Sequence, residues 1–415
     1  MPPNHTDVLI VGAGPAGLSA ALELKRLGIH DLLIAEREPE AGGIPRMCGH
    51  TGFGVRDLQR VMTGPAYARR YRALAKSAGI NIFTSTTITG WSDENRVSFT
   101  SPDGPGEMRA KAILLSTGVR ERPRSARLVP GYRPQGVFTT GSLQRFVFEH
   151  HLAIGKRAVI VGAEIVSLSV VLTLMHAGVR VLNMITELPR HQFYPPIFLP
   201  AKILFADFLA GAPILTNRRV TDILGRERVE GVEITDLHSG KTELIECDSV
   251  VFTGDWIPEN ELARTGNVET GKPSLGPQVD SFFRTSRPGV FAAGNLLRGV
   301  ETADWAAQEG RSAARSVARF LENADWPATR VEVRVEAPLA WICPNVIASD
   351  SRVAPFRFRS HEFRDNAILQ LRQDGRVLYQ KRFHRLIANV SLNLNGDWIR
   401  QVEFSGGPVI LGVGP

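Results

Sequence analysis

The stretch Asp7 to Gly17, DVLIVGAGPAG, holds the residues whose types and spacing point most directly to chemistry. Gly12, Gly14 and Gly17 stand in GxGxxG register, with Pro15 and Ala16 inside the motif. Gly12 permits a tight turn, Gly14 lets backbone N–H groups approach a pyrophosphate, and Gly17 lets the following helix pack closely. Glu36 lies about twenty residues beyond, where a carboxylate takes ribose hydroxyls, and Arg37 follows it. Such residues work only if regular elements hold them. Val8 to Val11 is an unbroken aliphatic run, expected of a parallel strand buried on both faces. Leu18 to Leu27 reads as the helix, and Leu32 to Ala35 as the next strand, ending on Glu36. A glycine-rich turn with no ligand is the plainer alternative.

Length and composition bound the rest. A chain of 415 residues that is 43% hydrophobic predicts two or three globular domains. Cys48, Cys247 and Cys343 lie far apart, which fits neither a disulfide framework nor a CxxC site and suits a reducing cytosol. The amino terminus has no apolar signal region. Ala158 to Met175 is the most hydrophobic stretch, but Gly162 and Glu164 interrupt it, so it reads as strand, turn and buried helix, not a transmembrane segment. The net charge of +7 comes from scattered arginine without a basic aromatic face, which argues against nucleic acid and leaves an acidic partner or an anionic small-molecule substrate open. The expected location is cytoplasmic, with peripheral attachment to the inner membrane face left open.

Further along, Pro65 to Ala78 has helical spacing, and Ile80 to Phe83 and Thr86 to Ile88 read as strands. A hairpin is expected with Val97 to Thr100 turning through Pro102-Asp103-Gly104 into Met108 to Ala110, and Ile113 to Leu115 reads as another buried strand running into Thr117-Gly118. This is the layout of a flavin-type dinucleotide domain. Arg120 to Pro134 reads as a linker, and Ala158 to Val161 opens a second βαβ unit that repeats the first. Its loop is degenerate, because Glu164 takes the place of the second glycine and Ser167 that of the third. A carboxylate there opposes a pyrophosphate, so NAD(P) is not expected, and the half is read as a scaffold that has lost its nucleotide. Ile223 to Val251 alternates like an antiparallel meander, and Thr285 to Asn295 returns to the first domain.

The fold class is therefore α/β, with two Rossmann-like dinucleotide-binding domains and a small all-β carboxyl-terminal domain. The boundaries are 1–120 with 285–325 for a discontinuous FAD-binding domain, 121–284 for the degenerate second domain, and 326–415 for the β domain. Asp374-Gly375 and Asn395-Gly396 are hairpin signals in that last domain, which has no metal-spaced cysteines or histidines. Interaction through its strand edges and apolar Trp341, Ile342 and Val346 is the leading expectation, and a lid over the flavin the alternative.

The glycine fingerprint with Glu36, the Thr117-Gly118 turn and Phe291-Ala292-Ala293-Gly294-Asn295 resemble the two-dinucleotide-domain flavoproteins, which include the pyridine nucleotide-disulfide oxidoreductases. More narrowly, GGIPRMCGHTGFG at 42–54, GVFTTGSLQ at 136–144, FTGDWIP at 252–258 and FAAGNLLRGVETA at 291–303 resemble a subgroup. It holds the alpha subunits of hydrogen cyanide synthase, opine oxidase and hydroxyproline dehydrogenase. The resemblance covers residues 1 to about 325. It implies FAD and a partner subunit of the amino-acid-oxidase type. Several of those alpha subunits carry a cysteine-rich iron–sulfur module at the carboxyl end. With only Cys343 after residue 247, this chain cannot build such a cluster, so a separate small iron–sulfur subunit or a direct acceptor would replace it.

The resemblance also distributes roles. Gly12, Gly14, Pro15, Ala16, Gly17, Gly43 and Ile44 would surround the dinucleotide, with Glu36 on the ribose and Arg37 beside the adenosine. Thr117 and Gly118 would close over the adenine half. Gly294 and Asn295 would meet the pyrophosphate and ribityl chain, and Thr302 and Ala303 would face the flavin pyrimidine edge. In disulfide reductases the loop after the Gly-Gly pair carries two redox cysteines. Here that loop has Cys48 alone, so dithiol chemistry is excluded. Cys48 and His50 are the candidate catalytic residues, with His50 either a proton carrier or a loop histidine satisfying backbone groups. Trp256 and Trp305 are expected to pack rather than stack. The expected function is the FAD-dependent, electron-transferring subunit of a dehydrogenase or oxidase that acts on an amino, imino or hydroxy compound. The rivals are an NAD(P)H-dependent flavin reductase and a non-catalytic docking subunit whose second domain is empty or holds an adenine nucleotide.

Overall fold

The computed structural model describes residues 2–193 and 212–414. Its first sheet grows from the strand His5–Val11, which lies between and parallel to Leu32–Ala35 and Gly104–Leu115. Val8 and Ile10 face the helices Pro15–Arg26, Gly64–Ser77 and Ala303–Asn323, while Leu9 and Val11 face a second layer with Phe99, Leu296 and Trp341. Both faces are covered, which is why the strand is apolar at every position from Val8 to Val11. Val290–Ala292 returns to pair in parallel with Gly104–Leu115, placing Phe291 opposite Leu114.

The two strands expected at 108–110 and 113–115 are one. Gly104–Leu115 spans 12 residues, first antiparallel to Arg96–Ser101 with alternating exposure, then buried at every residue from Ala112 to Leu115 inside the parallel sheet. The change in pattern marks a change of neighbours and not a break in the chain.

The second parallel sheet runs Val137–Thr139, Ser249–Phe252, Arg157–Val161, Arg180–Ile185, Ile214–Leu215. Arg218–Leu224, Gly231–Asp236 and Thr242–Glu246 form the antiparallel meander. Residues 194–211 of this region lie outside the described residues. The helix Ile165–His176, expected to be buried, leaves Ile165 and Met175 exposed, because only one of its faces lies on the sheet. Among the described residues no helix is long and apolar enough to cross a membrane. The expected linker is pinned in place. Val119–Glu121 pairs with Trp256–Pro258, and Arg124 donates to the carbonyls of Val129 and Tyr132.

The carboxyl-terminal strands form a five-stranded and a three-stranded sheet around Phe356, Phe358 and Trp398. Asp374-Gly375 makes a tight hairpin turn with φ of 48° and 83°, whereas Asn395-Gly396 leads into the short 3-10 helix Asp397–Gln401. Trp341, Ile342 and Val346 are buried, not offered to a partner. Their neighbourhood is wedged between two cores, so that Trp341 packs under the first sheet while Ile342 faces the β domain.

Candidate functional site

Two helix N-termini converge because their helices touch. A Cβ on Gly310 would meet the Ala16 carbonyl oxygen at 2.1 Å, and Ser19 Oγ donates to the Ala307 carbonyl at 2.7 Å. Pro15–Arg26 and Ala303–Asn323 thereby both open on a cavity of about 2150 Å³. The cavity runs from Gly14 past Gly118 and Thr302 to Glu164, and also touches Arg357 and Arg359 of the β domain.

At the first loop Gly12 has φ of 103°, and a Cβ on Gly17 would sit 1.9 Å from the Gly12 carbonyl oxygen. A Cβ on Gly14 would meet nothing within 4 Å. The helix starting there has neither a side-chain cap nor an acidic first turn, so its free N–H groups face open space. Glu36 is buried, and its two oxygens accept from Ala13 N at 2.7 Å and Glu38 N at 2.9 Å. Gly43 lies against the Gly14 Cα, and exposed Ile44 begins a short 3-10 turn in which Pro45 and Met47 are buried. Gly294 abuts Ala16, while the Asn295 amide bridges the backbone N–H and carbonyl of Glu301 at 3.0 and 3.3 Å. Thr302 precedes Ala303 without capping it. An open anion cradle, a buried acid and an uncapped helix start fit FAD, which when bound supplies hydride and single-electron chemistry.

Arg37 is exposed and turns to Glu259, 3.4 Å away. Glu259 also receives Arg120 at 2.9 Å, and its backbone ties down the Thr117 hydroxyl and the Gly118 carbonyl. It fastens this side of the cleft and was not foreseen, since an acid in an irregular loop carries no periodic signal.

Cys48 Sγ donates to Gln144 Oε1 at 3.3 Å and lies 3.4 Å from the Ile44 carbonyl. Burial, with the Glu121 charge adding, pushes its thiol up to about 12, so it is protonated at neutral pH. His50 Nδ1 is 2.8 Å from the Thr51 carbonyl and must donate to it, which leaves Nε2 as an acceptor at the cavity wall. Burial holds its pKa below the ordinary value.

The second loop differs in one decisive way. Glu164 is the N-cap of Ile165–His176, its carboxylate accepting the Ser167 N–H while Ser167 Oγ accepts the Glu164 N–H. The chain's own carboxyl group occupies the helix start. Glu164 Oε1 is buried without a hydrogen bond, and burial raises the carboxyl against the hydrogen bonds from Thr253 and Ser167.

The β domain supplies groups not anticipated as site residues. Arg359 donates to Glu301 Oε1 at 2.7 Å and Ser391 Oγ at 2.8 Å, and Arg357 stacks on Trp305 at 3.7 Å. Trp305 is thus a stacking partner, of a guanidinium, contrary to expectation. The alternation in Phe356-Arg357-Phe358-Arg359 was the available signal, since it puts both arginines on one face.

Residues 6–310 match the family model described as pyridine nucleotide-disulphide oxidoreductase. An opine oxidase subunit of Rhizobium meliloti is 27% identical over 334 residues, covering 74% of this chain and 61% of that protein. The alpha subunit of sarcosine oxidase from the same species is 25% identical over 321 residues, covering 73% of this chain and 28% of that protein. The chain therefore spans less than two thirds of either relative. The solved thioredoxin reductase of T. acidophilum superposes with a TM-score of 0.64 at 24% identity, covering 76% of this chain and 99% of that one, a likeness of fold. The chain belongs to the pyridine nucleotide-disulphide oxidoreductase family, a family of FAD-binding oxidoreductases.

Proposed function

We propose that this chain is the flavin-carrying, electron-transferring subunit of a multi-subunit dehydrogenase or oxidase that acts on an amino, imino or hydroxy compound. The observation that carries the reading is the contrast between the two nucleotide loops. The helix start at Gly14 is bare, while the one at Glu164 is capped by a carboxylate. FAD would lie in the first, with Glu36 on its ribose and Thr302 and Ala303 near its pyrimidine edge. The second would take no NAD(P), so electrons would come from a substrate and not from a nicotinamide. The names of two relatives, each one subunit of an oxidase, support a multi-subunit setting. The expected companions are an oxidase-type partner and a small iron–sulfur subunit, in the cytoplasm. The three-domain division belongs to the same reading, with the β domain covering the cleft.

Within it, His50 would hold a neutral imidazole at the wall, its Nδ1 spent on Thr51 and Nε2 free to accept a proton. Cys48 would serve as a buried hydrogen-bond donor. The test is to purify the chain with its co-expressed neighbours, extract the cofactor, and mix the enzyme with NADH in a stopped-flow instrument. Released FAD and a flavin that NADH leaves oxidised are expected. Rapid, saturating reduction by NADH would replace this reading with an autonomous reductase.

A further inference from the structure

The seam between the return loop and the β domain holds more positive than negative charge. Arg298 is buried and paired with Glu309. Glu301 is paired with Arg359 at 2.7 Å, lies 3.3 Å from Arg357 Nη1, and accepts from the Ser391 hydroxyl. Three guanidinium groups thus meet two carboxylates. The remaining titratable group in contact is Cys343, whose thiol burial pushes up to about 11, so it adds no negative charge. Facing groups do not redress the balance: Asp304 lines the same cavity but accepts from the Arg56 and Asp57 backbone N–H groups and is matched by the Arg56 guanidinium over Trp305, and His361 lines the cavity as well.

The surplus falls on Arg357. Burial raises the Glu301 carboxyl, but Arg359, Arg298 and Arg357 outweigh it and hold it below its ordinary value, so Glu301 is charged and already engaged. Arg357 makes one hydrogen bond among the described residues, from Nε to Asn393 Oδ1 at 3.4 Å. Its Nη1 is buried 3.3 Å from Glu301 Oε2 without forming a hydrogen bond, and the side chain lines the cavity. Because Glu301 is shared with Arg359, this guanidinium lacks a full counter-charge of its own, a shortfall that a bound anion would offset.

We infer that Arg357, with Asn393 beside it and Trp305 beneath it, is a binding subsite for the carboxylate of a small organic acid. Stacking on Trp305 closes one face of the guanidinium, Nε goes to Asn393 and Nη1 lies against Glu301, which leaves Nη2 to recognise a ligand. That nitrogen can donate a charge-assisted hydrogen bond to a carboxylate oxygen. Trp305 lies in the first turn of the long helix that Thr302 precedes and Ala303 begins, and all three line the cavity, so an acid held here would lie beside the start of that helix. As a substrate-class assignment, amino, imino or hydroxy acid, the inference rests on the flavin reading. The charge balance that motivates it does not.

The test titrates the purified holoprotein with benzoate and acetate, following heat by calorimetry and the melting temperature, with benzamide and inorganic phosphate as controls. FAD content is measured on every preparation. Saturable binding of a carboxylate with a rise in melting temperature is expected, and benzamide should not bind. Arg357→Gln should weaken binding at least about ten-fold, and Arg357→Lys should recover part of it, since a charged donor remains. Asn393→Ala provides a second, milder variant. Failure of both acids to bind, equal binding by Arg357→Gln, equal binding of benzamide, or competition by phosphate at equal strength would overturn the subsite. Arg357-dependent carboxylate binding by a protein lacking FAD would sink the flavin reading and keep the subsite. FAD without carboxylate binding would do the reverse.

Discussion

Arg359 of the β domain and Glu301 of the return loop form a largely buried ion pair, with 2.7 Å between Nη2 and Oε1. Glu301 sits just before the helix Ala303–Asn323, so this pair fastens the carboxyl-terminal sheets to the edge of the cleft. Removing the carboxylate leaves Arg359 and Arg357 without their shared acid. Glu301→Gln should cost about 3–5 kcal/mol, as expected for breaking one side of a buried pair. Denaturant unfolding followed by tryptophan fluorescence checks it, and a loss below about 1 kcal/mol would show that the pair is screened.

Gly14 and Gly17 are expected to respond oppositely to the same change. A Cβ on Gly14 enters open space at φ of −78°, so Gly14→Ala should fold normally. Because that space is where a pyrophosphate would lie, FAD affinity should fall more than about ten-fold. Gly17→Ala drives a methyl into the Gly12 carbonyl and should cost about 1–3 kcal/mol of stability. Flavin absorbance and unfolding midpoints of the two variants separate the effects. Equal stability loss in both would refute the cradle.

Glu164 yields a kinetic and a pH expectation. With about 1 mM NADH, flavin reduction should be undetectable over seconds. Because burial raises the folded-state pKa of Glu164 above its ordinary 4.5, its contribution to stability is present below that value and lost as pH rises through the folded one. Glu164→Gln does not titrate, so its stability relative to the parent should improve as pH rises above the ordinary glutamate value of 4.5. A pH-independent difference would contradict the burial argument.

Cys48, Cys247 and Cys343 are all buried, with thiols pushed up to about 12, 12 and 11. At pH 8 the Cys48 thiolate fraction is then on the order of 10⁻⁴. Ellman's reagent should find no fast-reacting thiol in the native protein and all three after denaturation. A native thiol that reacts within seconds would restore Cys48 as a nucleophile.

The sequence by itself determined whatever depends on local pattern. An aliphatic run followed by spaced glycines reads as strand, turn and helix, since the period of burial and the demand for positive φ are properties of neighbouring residues. Glu36 was legible because the length of one βα unit sets its distance from Gly12. Glu164 was legible as a carboxyl group in the second glycine's place, though not as the cap of its own helix. Tertiary structure alone decided what meets across domains. Arg357 and Trp305 are far apart in the chain and belong to a strand and a helix that each read as complete. Trp341 looked like a surface for a partner because a local apolar cluster does not say which neighbour covers it. The charge balance around Glu301 was equally hidden, because it is a sum over a return loop, a long helix and a β strand that only packing brings to one place.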